Sequence, residues 1–172
     1  MPPPRPSTSV VLIGFMGSGK TEIGRMLAER LGYEFVDTDA LIESSARSTI
    51  PQIFKALGEE GLRALERTAV IEAAAKPGRV IACGGGTILS VRNYGVLKGV
   101  GPIIYLRTSV EELIARLGEG EGRPLLNGDP AENVPRLLSQ RAPAYESAAE
   151  VIVDTDGRTP TDVADEIVKR LG

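Results

Sequence analysis

The sequence predicts an α/β fold in which helices cover both faces of a parallel β-sheet. Five short apolar segments with strand composition alternate with segments whose apolar residues recur at helical spacing. Neighbouring parallel strands need crossover connections, and helices usually supply them. The predicted strands cover residues 10–13, 33–36, 79–83, 103–106 and 151–153. A length of 172 residues is sufficient for one domain with a sizeable core.

A glycine-rich loop joins the first predicted strand to the first predicted helix, 22–31. Residues 14–21 read Gly-Phe-Met-Gly-Ser-Gly-Lys-Thr and fit the pattern G-x-x-x-x-G-K-[ST]. In such a loop the backbone N–H groups surround a polyphosphate, the lysine reaches the outer phosphates, and the hydroxyl contacts a magnesium ion. The order strand, loop, helix favours this interpretation over a glycine-rich turn that carries a surface lysine.

Further helices are predicted on both sides of the third and fourth strands. Gly32 ends the first helix, and the second strand leads into Asp37-Thr38-Asp39. Helical spacing then covers 40–46, 48–57, 59–75 and 109–117, and Gly58 separates the second of these segments from the third. The third strand runs into Gly84-Gly85-Gly86. The third and fourth strands have the composition of strands that are buried on both faces.

Residues 118–130 predict a mobile lid rather than a regular element. This segment contains four glycines and two prolines. Helical spacing resumes over 131–141, and a last helix over 161–171 follows the fifth strand, with Pro160 at its entrance. The lid would therefore connect the helix at 109–117 to the helix at 131–141.

Composition excludes several classes of function. The net charge of −3, with no continuous basic stripe, argues against a nucleic-acid partner. One cysteine, Cys83, and no histidine exclude an internal disulfide and ordinary zinc sites, so a metal must bind to oxygen ligands. We expect Cys83 to be a buried packing residue rather than a nucleophile.

The termini and surface pattern indicate a soluble cytoplasmic protein. No apolar run approaches the length of a membrane span. Residues 1–9 are proline-rich and lack the apolar core of a signal peptide, which predicts a disordered tail before a single domain at 10–172. A monomer is expected, because no long apolar heptad pattern suggests an obligate partner.

The polar motifs that follow the strands are expected to surround one crevice, because ligands of such folds lie beyond the carboxyl ends of the strands. In one reading of Asp37 and Asp39, one carboxylate faces the hydration shell of a magnesium ion and the other faces an acceptor hydroxyl. In the other reading, the Asp-Thr-Asp turn only caps the next helix. Beside a phosphate loop we favour the first reading, since phosphoryl transfer needs an acceptor held in line. The glycine triplet at 84–86 either leaves room for a ligand or forms a plain turn.

Several motifs together resemble the shikimate kinase family in order and spacing. They are residues 14–21, Asp37-Thr38-Asp39, Arg63 with Glu66, Gly84-Gly85-Gly86, Arg123-Pro124-Leu125-Leu126 and Arg141-Ala142-Pro143-Ala144-Tyr145. The resemblance covers the chain from about Val10 to the last helix. It implies a three-layer P-loop kinase fold of the nucleoside-monophosphate-kinase type, with sheet order 2-3-1-4-5, a substrate-binding region at about 38–66 and a lid at about 118–130.

The resemblance also implies the reaction. ATP, bound with Mg²⁺, would donate its γ-phosphate to the 3-hydroxyl of shikimate and give 3-phosphoshikimate and ADP, in the biosynthesis of chorismate and aromatic amino acids. The nucleotide phosphates would lie against Gly17, Ser18, Gly19, Lys20 and Thr21. Thr21 would bind the magnesium ion directly and Asp37 would bind it through water.

The remaining site residues are likewise implied by the resemblance. Asp39 would hold the acceptor hydroxyl, either as a base or by orienting it. Arg63 and Arg141 would grip the shikimate carboxylate, Glu66 would support Arg63, and Gly84, Gly85 and Gly86 would contact the ring. Arg123 on the lid would reach the transferring phosphate, and Arg116, Arg158 and Pro160 would enclose the adenine. Lys20, Asp39 and Arg123 are thus the expected catalytic residues.

Three alternatives remain open from the residues. Without the family pattern, Arg63 would be read as a surface salt-bridge partner of Glu59 and Glu66. A gluconate kinase would share the phosphate loop, and an ATP-binding regulatory protein would be expected to lack the acidic pair.

Glu22 departs from the family, in which a Thr or Ser often stands at this position, and we leave it outside the site.

Overall fold

The computed structural model describes residues 8–117 and 129–172. Their strands form one parallel sheet with the order β2-β3-β1-β4-β5. The strands are β1 (Val10–Ile13), β2 (Glu34–Asp37), β3 (Arg79–Ala82), β4 (Ile103–Arg107) and β5 (Val151–Asp154). The predicted fold class and strand order are therefore confirmed.

Seven α-helices accompany the sheet within the described residues. They are α1 (Lys20–Leu31), α2 (Thr38–Ala46), α3 (Ile50–Ala73), α4 (Val91–Lys98), α5 (Val110–Leu117), α6 (Pro130–Ala148) and α7 (Pro160–Leu171). A short 3-10 helix, Thr87–Leu89, precedes α4. Neither this turn nor α4 was predicted from the sequence.

The central strand β1 shows how the three layers are held together. Alternate side chains of a strand point to opposite faces of the sheet, and here both faces are covered. Val10 and Leu12 belong to a buried cluster with α1 and α7. Val11 and Ile13 belong to a second cluster that includes residues of α3, α5 and α6. All four side chains of β1 are buried, as expected for the middle of a parallel sheet.

Helix α3 is broken at Gly58, where the sequence predicted a boundary between two helices. Gly58 has φ 70° and ψ −176°, which no helical residue adopts. The first half begins with a capping box, in which Thr49 accepts a hydrogen bond from the backbone of Gln52 and the Gln52 side chain accepts one from the backbone of Thr49. A third apolar cluster joins α3 to α2. The bend allows α3 to continue towards the edge of the cleft described below.

Helix α6 continues to Ala148, seven residues beyond the predicted end at 141. Proline lacks an N–H group and disfavours a helix interior, so Pro143 is an unexpected residue in this extension. The structure keeps Pro135 and Pro143 inside the helix, and the buried residues Arg141 and Tyr145 lie on either side of Pro143. Tertiary packing therefore outweighs the local preference at this position.

Two residues of the predicted tail, Thr8 and Ser9, hydrogen-bond to the domain, and the Thr8 carbonyl oxygen accepts from the Gly78 N–H at 3.2 Å. Ser9, which was assigned to the tail, is buried; its N–H donates to Val100 O at 2.8 Å and its hydroxyl accepts from the Arg79 N–H at 3.2 Å. Residues 1–7 of the predicted tail and 118–128 of the predicted lid lie outside the described residues. None of the helices in the described ranges has the length and apolar composition needed to cross a membrane.

Candidate active site

One cleft of about 820 Å³ opens at the carboxyl ends of the strands. It is lined by every predicted site residue within the described ranges: Gly17, Ser18, Gly19, Lys20, Thr21, Asp37, Asp39, Arg63, Gly84, Gly85, Gly86, Arg116, Arg141, Arg158 and Pro160. Arg123 lies outside the described residues. The topology thus brings together motifs that are far apart in the sequence.

The phosphate loop leads from β1 into α1 through backbone conformations that favour glycine. Gly17 and Gly19 have φ 85° and 96°, in the left-handed region. A Cβ on Gly14 would lie 2.8 Å from both the Leu106 carbonyl oxygen and the Ser18 hydroxyl. Among the described residues no side chain caps α1, whose N-cap is Gly19. The first N–H groups of this helix are therefore available to an anion, and the helix dipole favours one there.

Lys20 bends back over this loop. Its ammonium group donates to Gly14 O at 2.7 Å and to Phe15 O at 3.0 Å. Burial lowers the pKa of Lys20 to about 8, while the carboxylate of Asp39 opposes that shift. Both backbone partners are neutral, so a phosphate oxygen in the loop would be a stronger acceptor for the same ammonium.

Asp37 caps α2 with one carboxylate oxygen and contacts Thr21 with the other. Its Oδ1 caps α2 by accepting from the N–H of Asp39 at 2.9 Å and of Ala40 at 3.3 Å. Its Oδ2 accepts from the hydroxyl of Thr21 at 3.1 Å. Thr21 and Asp37 therefore present two adjacent oxygen atoms to the cleft beside the phosphate loop.

The oxygen pair fits magnesium that arrives with a nucleotide. Within residues 8–117 and 129–172, no three acidic, cysteine or histidine side chains are grouped so that they could hold a metal ion on their own. Mg²⁺ commonly takes one or two protein oxygens and completes its octahedron with water and substrate phosphates. Thr21 and Asp37 can supply these one or two protein oxygens.

Asp39 lies at the start of α2 and faces Gly84. A Cβ on Gly84 would lie 2.7 Å from Asp39 Oδ1, so only glycine leaves room for this carboxylate. Burial raises the pKa of Asp39 to about 6, and repulsion from Asp37 adds to the shift while Lys20 opposes it. The group is ionised at neutral pH but close enough to its pKa to accept a proton.

Arg63 makes both predicted ion pairs and also reaches the cleft. Its Nη1 donates to the two carboxylate oxygens of Glu66 at 3.0 and 3.2 Å, and its Nη2 lies 3.6 Å from Glu59. Glu66 is only 3% exposed; its burial raises the pKa of the carboxyl and the guanidinium opposes that rise. A Cβ on Gly86 would lie 2.7 Å from Nη2 of Arg63. The ion pairs therefore hold the guanidinium against the glycine triplet.

Arg141 is 4% exposed, and its Nη1 has no hydrogen-bond partner in the described part of the chain. A Cβ on Gly85 would lie 3.1 Å from this nitrogen. The guanidinium carbon lies 5.8 Å from the ring centroid of Phe15. A buried charged donor without a partner is costly, so the arrangement favours an anionic ligand. Because Gly85 and Gly86 are adjacent, Arg141 and Arg63 converge at one place.

Three further predicted site residues line the cleft from α5 and from the start of α7. Arg116 pairs with Glu112 at 3.1 Å and donates to Gly17 O at 3.3 Å. Arg158 donates to Asp154 O at 2.9 Å and pairs with Glu166. Pro160 is the first residue of α7. Arg116 therefore contacts the phosphate loop, and Arg158 and Pro160 line the same cleft.

Sequence reasoning missed two hydroxyl groups that fix the glycine triplet. The hydroxyl of buried Thr38 accepts from the Gly84 N–H at 3.0 Å, and that of buried Tyr145 donates to Gly85 O. Both residues stand inside recognised motifs, but only the fold reveals these contacts. Cys83 is buried, and its burial raises the pKa of the thiol, as expected for a packing residue rather than a nucleophile.

The sequence analysis also did not predict the apolar residues that line the cleft. Ile50, Phe54 and Leu62 line it from the two halves of α3. Their helical spacing predicted only that they would pack into a core. The break at Gly58 instead leaves part of this apolar face open to the cleft.

A phosphate loop, an acidic pair and two convergent arginines at one end of a 2-3-1-4-5 parallel sheet define a P-loop kinase of the small-molecule type. The shikimate kinase family model matches residues 16–172. The chain therefore belongs to the shikimate kinase family, which confirms the resemblance seen in the sequence.

Relatives of known name agree with this assignment. A shikimate kinase of Symbiobacterium thermophilum is 47% identical over 95% of both chains, and one of Thermus thermophilus is 44% identical over 98% of this chain and 92% of its own. The solved shikimate kinase from Acinetobacter baumannii in complex with shikimate has a TM-score of 0.92 and 38% identity, with 95% and 92% of the two chains covered. A sugar kinase from Janibacter shares the fold alone, with a TM-score of 0.63 and 20% identity over 96% and 95% of the chains.

Proposed function

We propose that the cleft transfers the γ-phosphate of ATP to the 3-hydroxyl of shikimate and yields 3-phosphoshikimate and ADP, a step towards chorismate and the aromatic amino acids. The chain is a kinase of the shikimate kinase family, which uses ATP as co-substrate. The main support is the convergence of Arg63 and Arg141 on adjacent glycines, in the same cleft as the phosphate loop. A small carboxylic acid held there would lie beside Asp39 and within the reach of a bound triphosphate.

The nucleotide side of the reaction is assigned to the phosphate loop. The backbone N–H groups of Gly17, Ser18 and Gly19 hold the phosphates, and Lys20 moves from its carbonyl partners to the phosphate oxygens. Thr21 would hold a magnesium ion directly and Asp37 would hold it through water, and the bound ion would supply charge neutralisation to the nucleotide phosphates.

The acceptor side depends on fixed positive charge and on one carboxylate. Arg63 and Arg141 hold the substrate carboxylate with charge-assisted hydrogen bonds, while the glycine triplet lets the ring approach the backbone. Asp39 then orients the 3-hydroxyl and takes its proton as the bond to phosphorus forms. A pKa of about 6 suits this task, because the carboxylate is ionised before the transfer.

The last two assignments concern the lid and the adenine. We assign to Arg123 the stabilisation of charge on the transferring phosphoryl group, from the position of this arginine in a glycine-rich segment. Arg116, Arg158 and Pro160 enclose the adenine, with the guanidinium planes available for stacking. A cytoplasmic monomer without nucleic-acid or membrane partners remains a prediction from the sequence.

The direct test is to incubate the purified protein with ATP, magnesium and either shikimate or gluconate, and to resolve the products by mass. We expect a phosphorylated product from shikimate only. In the matched variant Asp39→Asn, nucleotide binding is expected to persist while most of the turnover is lost. Phosphorylation of gluconate but not of shikimate would overturn the substrate assignment, and unchanged turnover in Asp39→Asn would remove Asp39 from its role.

A further inference from the structure

A second cavity, of about 540 Å³, lies behind the proposed shikimate pocket. Its wall is formed by α3, by the start of α4 and by α6. Four residues line both this cavity and the main cleft: Arg63, Glu66, Gly86 and Arg141. The two spaces are thus separated by a single layer of side chains, and that layer contains both proposed carboxylate-binding arginines.

The charges around the second cavity do not balance. Arg67 and Arg136 join the shared arginines on its wall, whereas the carboxylates that the described residues place there are those of Glu59 and Glu66. Both carboxylates already pair with Arg63, at 3.6 and 3.0 Å. The wall therefore carries two positive charges in excess, although the whole chain has a net charge of −3.

The two arginines that belong only to this cavity are free to bind a ligand. Within the described ranges, Arg67 makes no ion pair, and Arg136 donates only to the neutral side-chain oxygen of Asn133, at 3.3 Å. The amide of Gln140 adds a polar group to the same wall. Clustered guanidinium groups with few carboxylates favour oxyanions, whose planar or tetrahedral oxygens accept several N–H groups at once.

We propose that the second cavity binds a small, doubly charged oxyanion of the phosphate or dicarboxylate type and that its occupation weakens shikimate binding. The coupling rests on the proposed function, because it acts through Arg63 and Arg141. An anion in the second cavity would accept hydrogen bonds from N–H groups of Arg63 and Arg141. The substrate carboxylate in the main cleft needs the same donors. Such coupling is reciprocal, so shikimate also weakens binding of the anion.

The first test measures initial rates while the concentrations of shikimate and of either inorganic phosphate or malonate are varied at constant ionic strength. ATP and magnesium are kept saturating, so that nucleotide fills the phosphate loop. In the wild type, the KM for shikimate is expected to rise several-fold with the anion while kcat stays nearly constant. Arg67→Gln and Arg136→Gln lie outside the main cleft and should keep the anion-free KM but lose most of the inhibition. Arg92→Gln, an exposed arginine of α4 that does not line the cavity, is the matched control and should be inhibited like the wild type.

The second test measures binding directly and does not depend on phosphoryl transfer. Phosphate or malonate is titrated by calorimetry into the protein saturated with ADP and magnesium, and the affinity is compared with that of the Arg67→Gln/Arg136→Gln double variant. A loss of affinity of at least tenfold in the double variant supports the site. An effect of phosphate alone or of malonate alone would identify which source the cavity prefers. Equal binding by both proteins, or no binding of either anion by the wild type, would overturn the proposal even if shikimate is phosphorylated as expected.

Discussion

The N–H group of Gly84 donates a hydrogen bond to the hydroxyl of Thr38 across 3.0 Å. Thr38 is fully buried and stands between Asp37 and Asp39 in the chain. One side chain thus ties the end of β2 to the glycine triplet after β3. Since the carboxylate of Asp39 lies against Gly84, the same bond fixes the distance between the proposed base and the floor of the substrate pocket.

Replacing Thr38 with valine keeps the shape of the side chain but leaves the Gly84 N–H without its acceptor. We expect the free energy of unfolding to fall by about 1–3 kcal/mol, and kcat to fall about tenfold because Asp39 is less well positioned. Thr38→Ser keeps the hydroxyl and should restore most of kcat. Urea unfolding and steady-state kinetics of both variants check this, and equal kcat values in the two would rule out a positioning role for the hydroxyl.

Arg141→Lys tests whether the buried guanidinium binds the carboxylate of shikimate. A lysine ammonium keeps the charge but cannot offer two parallel N–H groups, so we expect the KM for shikimate to rise about 10- to 100-fold with little change in the KM for ATP. The control is Arg136→Lys, on the same helix but outside the main cleft, which should leave both constants near the wild-type values. A larger change in the KM for ATP would contradict the assignment of Arg141 to the acid.

The pKa of Asp39 predicts how the reaction depends on pH. A carboxylate must be ionised to take a proton, and burial raises this pKa from 3.8 to about 6. The kcat/KM for shikimate is therefore expected to be flat above pH 6 and to fall about tenfold per pH unit below it. Repulsion from Asp37 contributes to the shift, so Asp37→Asn should lower the midpoint as well as the maximal rate. A midpoint that stays in place in this variant would show that another group titrates.

The same pKa makes a separate prediction for stability. A carboxyl whose pKa is higher in the folded state stabilises the fold fully below pH 3.8, and that contribution is lost as the pH rises through about 6. The asparagine of the Asp39→Asn variant cannot ionise, so this variant does not lose the contribution that the wild type loses. The free energy of unfolding of the variant minus that of the wild type should therefore increase by about 2 kcal/mol between pH 4 and pH 8. Urea titrations at the two pH values measure this, with exposed Glu132→Gln as a control that should show no such increase. A constant difference would mean that Asp39 is not destabilised by its surroundings.

Local patterns in the sequence sufficed for much of the fold. The phosphate loop was recognisable because its chemistry is encoded in contiguous residues. The apolar composition of β1 likewise predicted that this strand is buried. Gly58 was a correct boundary because its backbone conformation is a local property. By contrast, the predicted end of α6 at 141 was wrong, because buried Arg141 and Tyr145 maintain the helix through tertiary packing past Pro143.

The active site was harder to predict where its properties depend on contacts between distant segments. The sequence could not show by physical reasoning alone that Arg63 and Arg141 meet at Gly85 and Gly86, and only the family pattern pointed to it. Likewise, the raised pKa of Asp39 follows from burial, which no local pattern specifies. The unmatched charge of the second cavity was also invisible, because its arginines come from two helices that meet only in the fold.

Glu22, beside Thr21 in the first turn of α1, is exposed and lines the cleft. A carboxylate suits the positive end of a helix, but it also repels the phosphates that bind at the same helix end. For an exposed charge we expect this repulsion to be about 0.5–1 kcal/mol, so Glu22→Gln and Glu22→Thr should lower the KM for ATP about two- to fivefold without changing the KM for shikimate. The gain should shrink at high ionic strength, where such interactions are screened. If neither variant changes the KM for ATP at low salt, the Glu22 side chain must turn away from the phosphates when nucleotide binds.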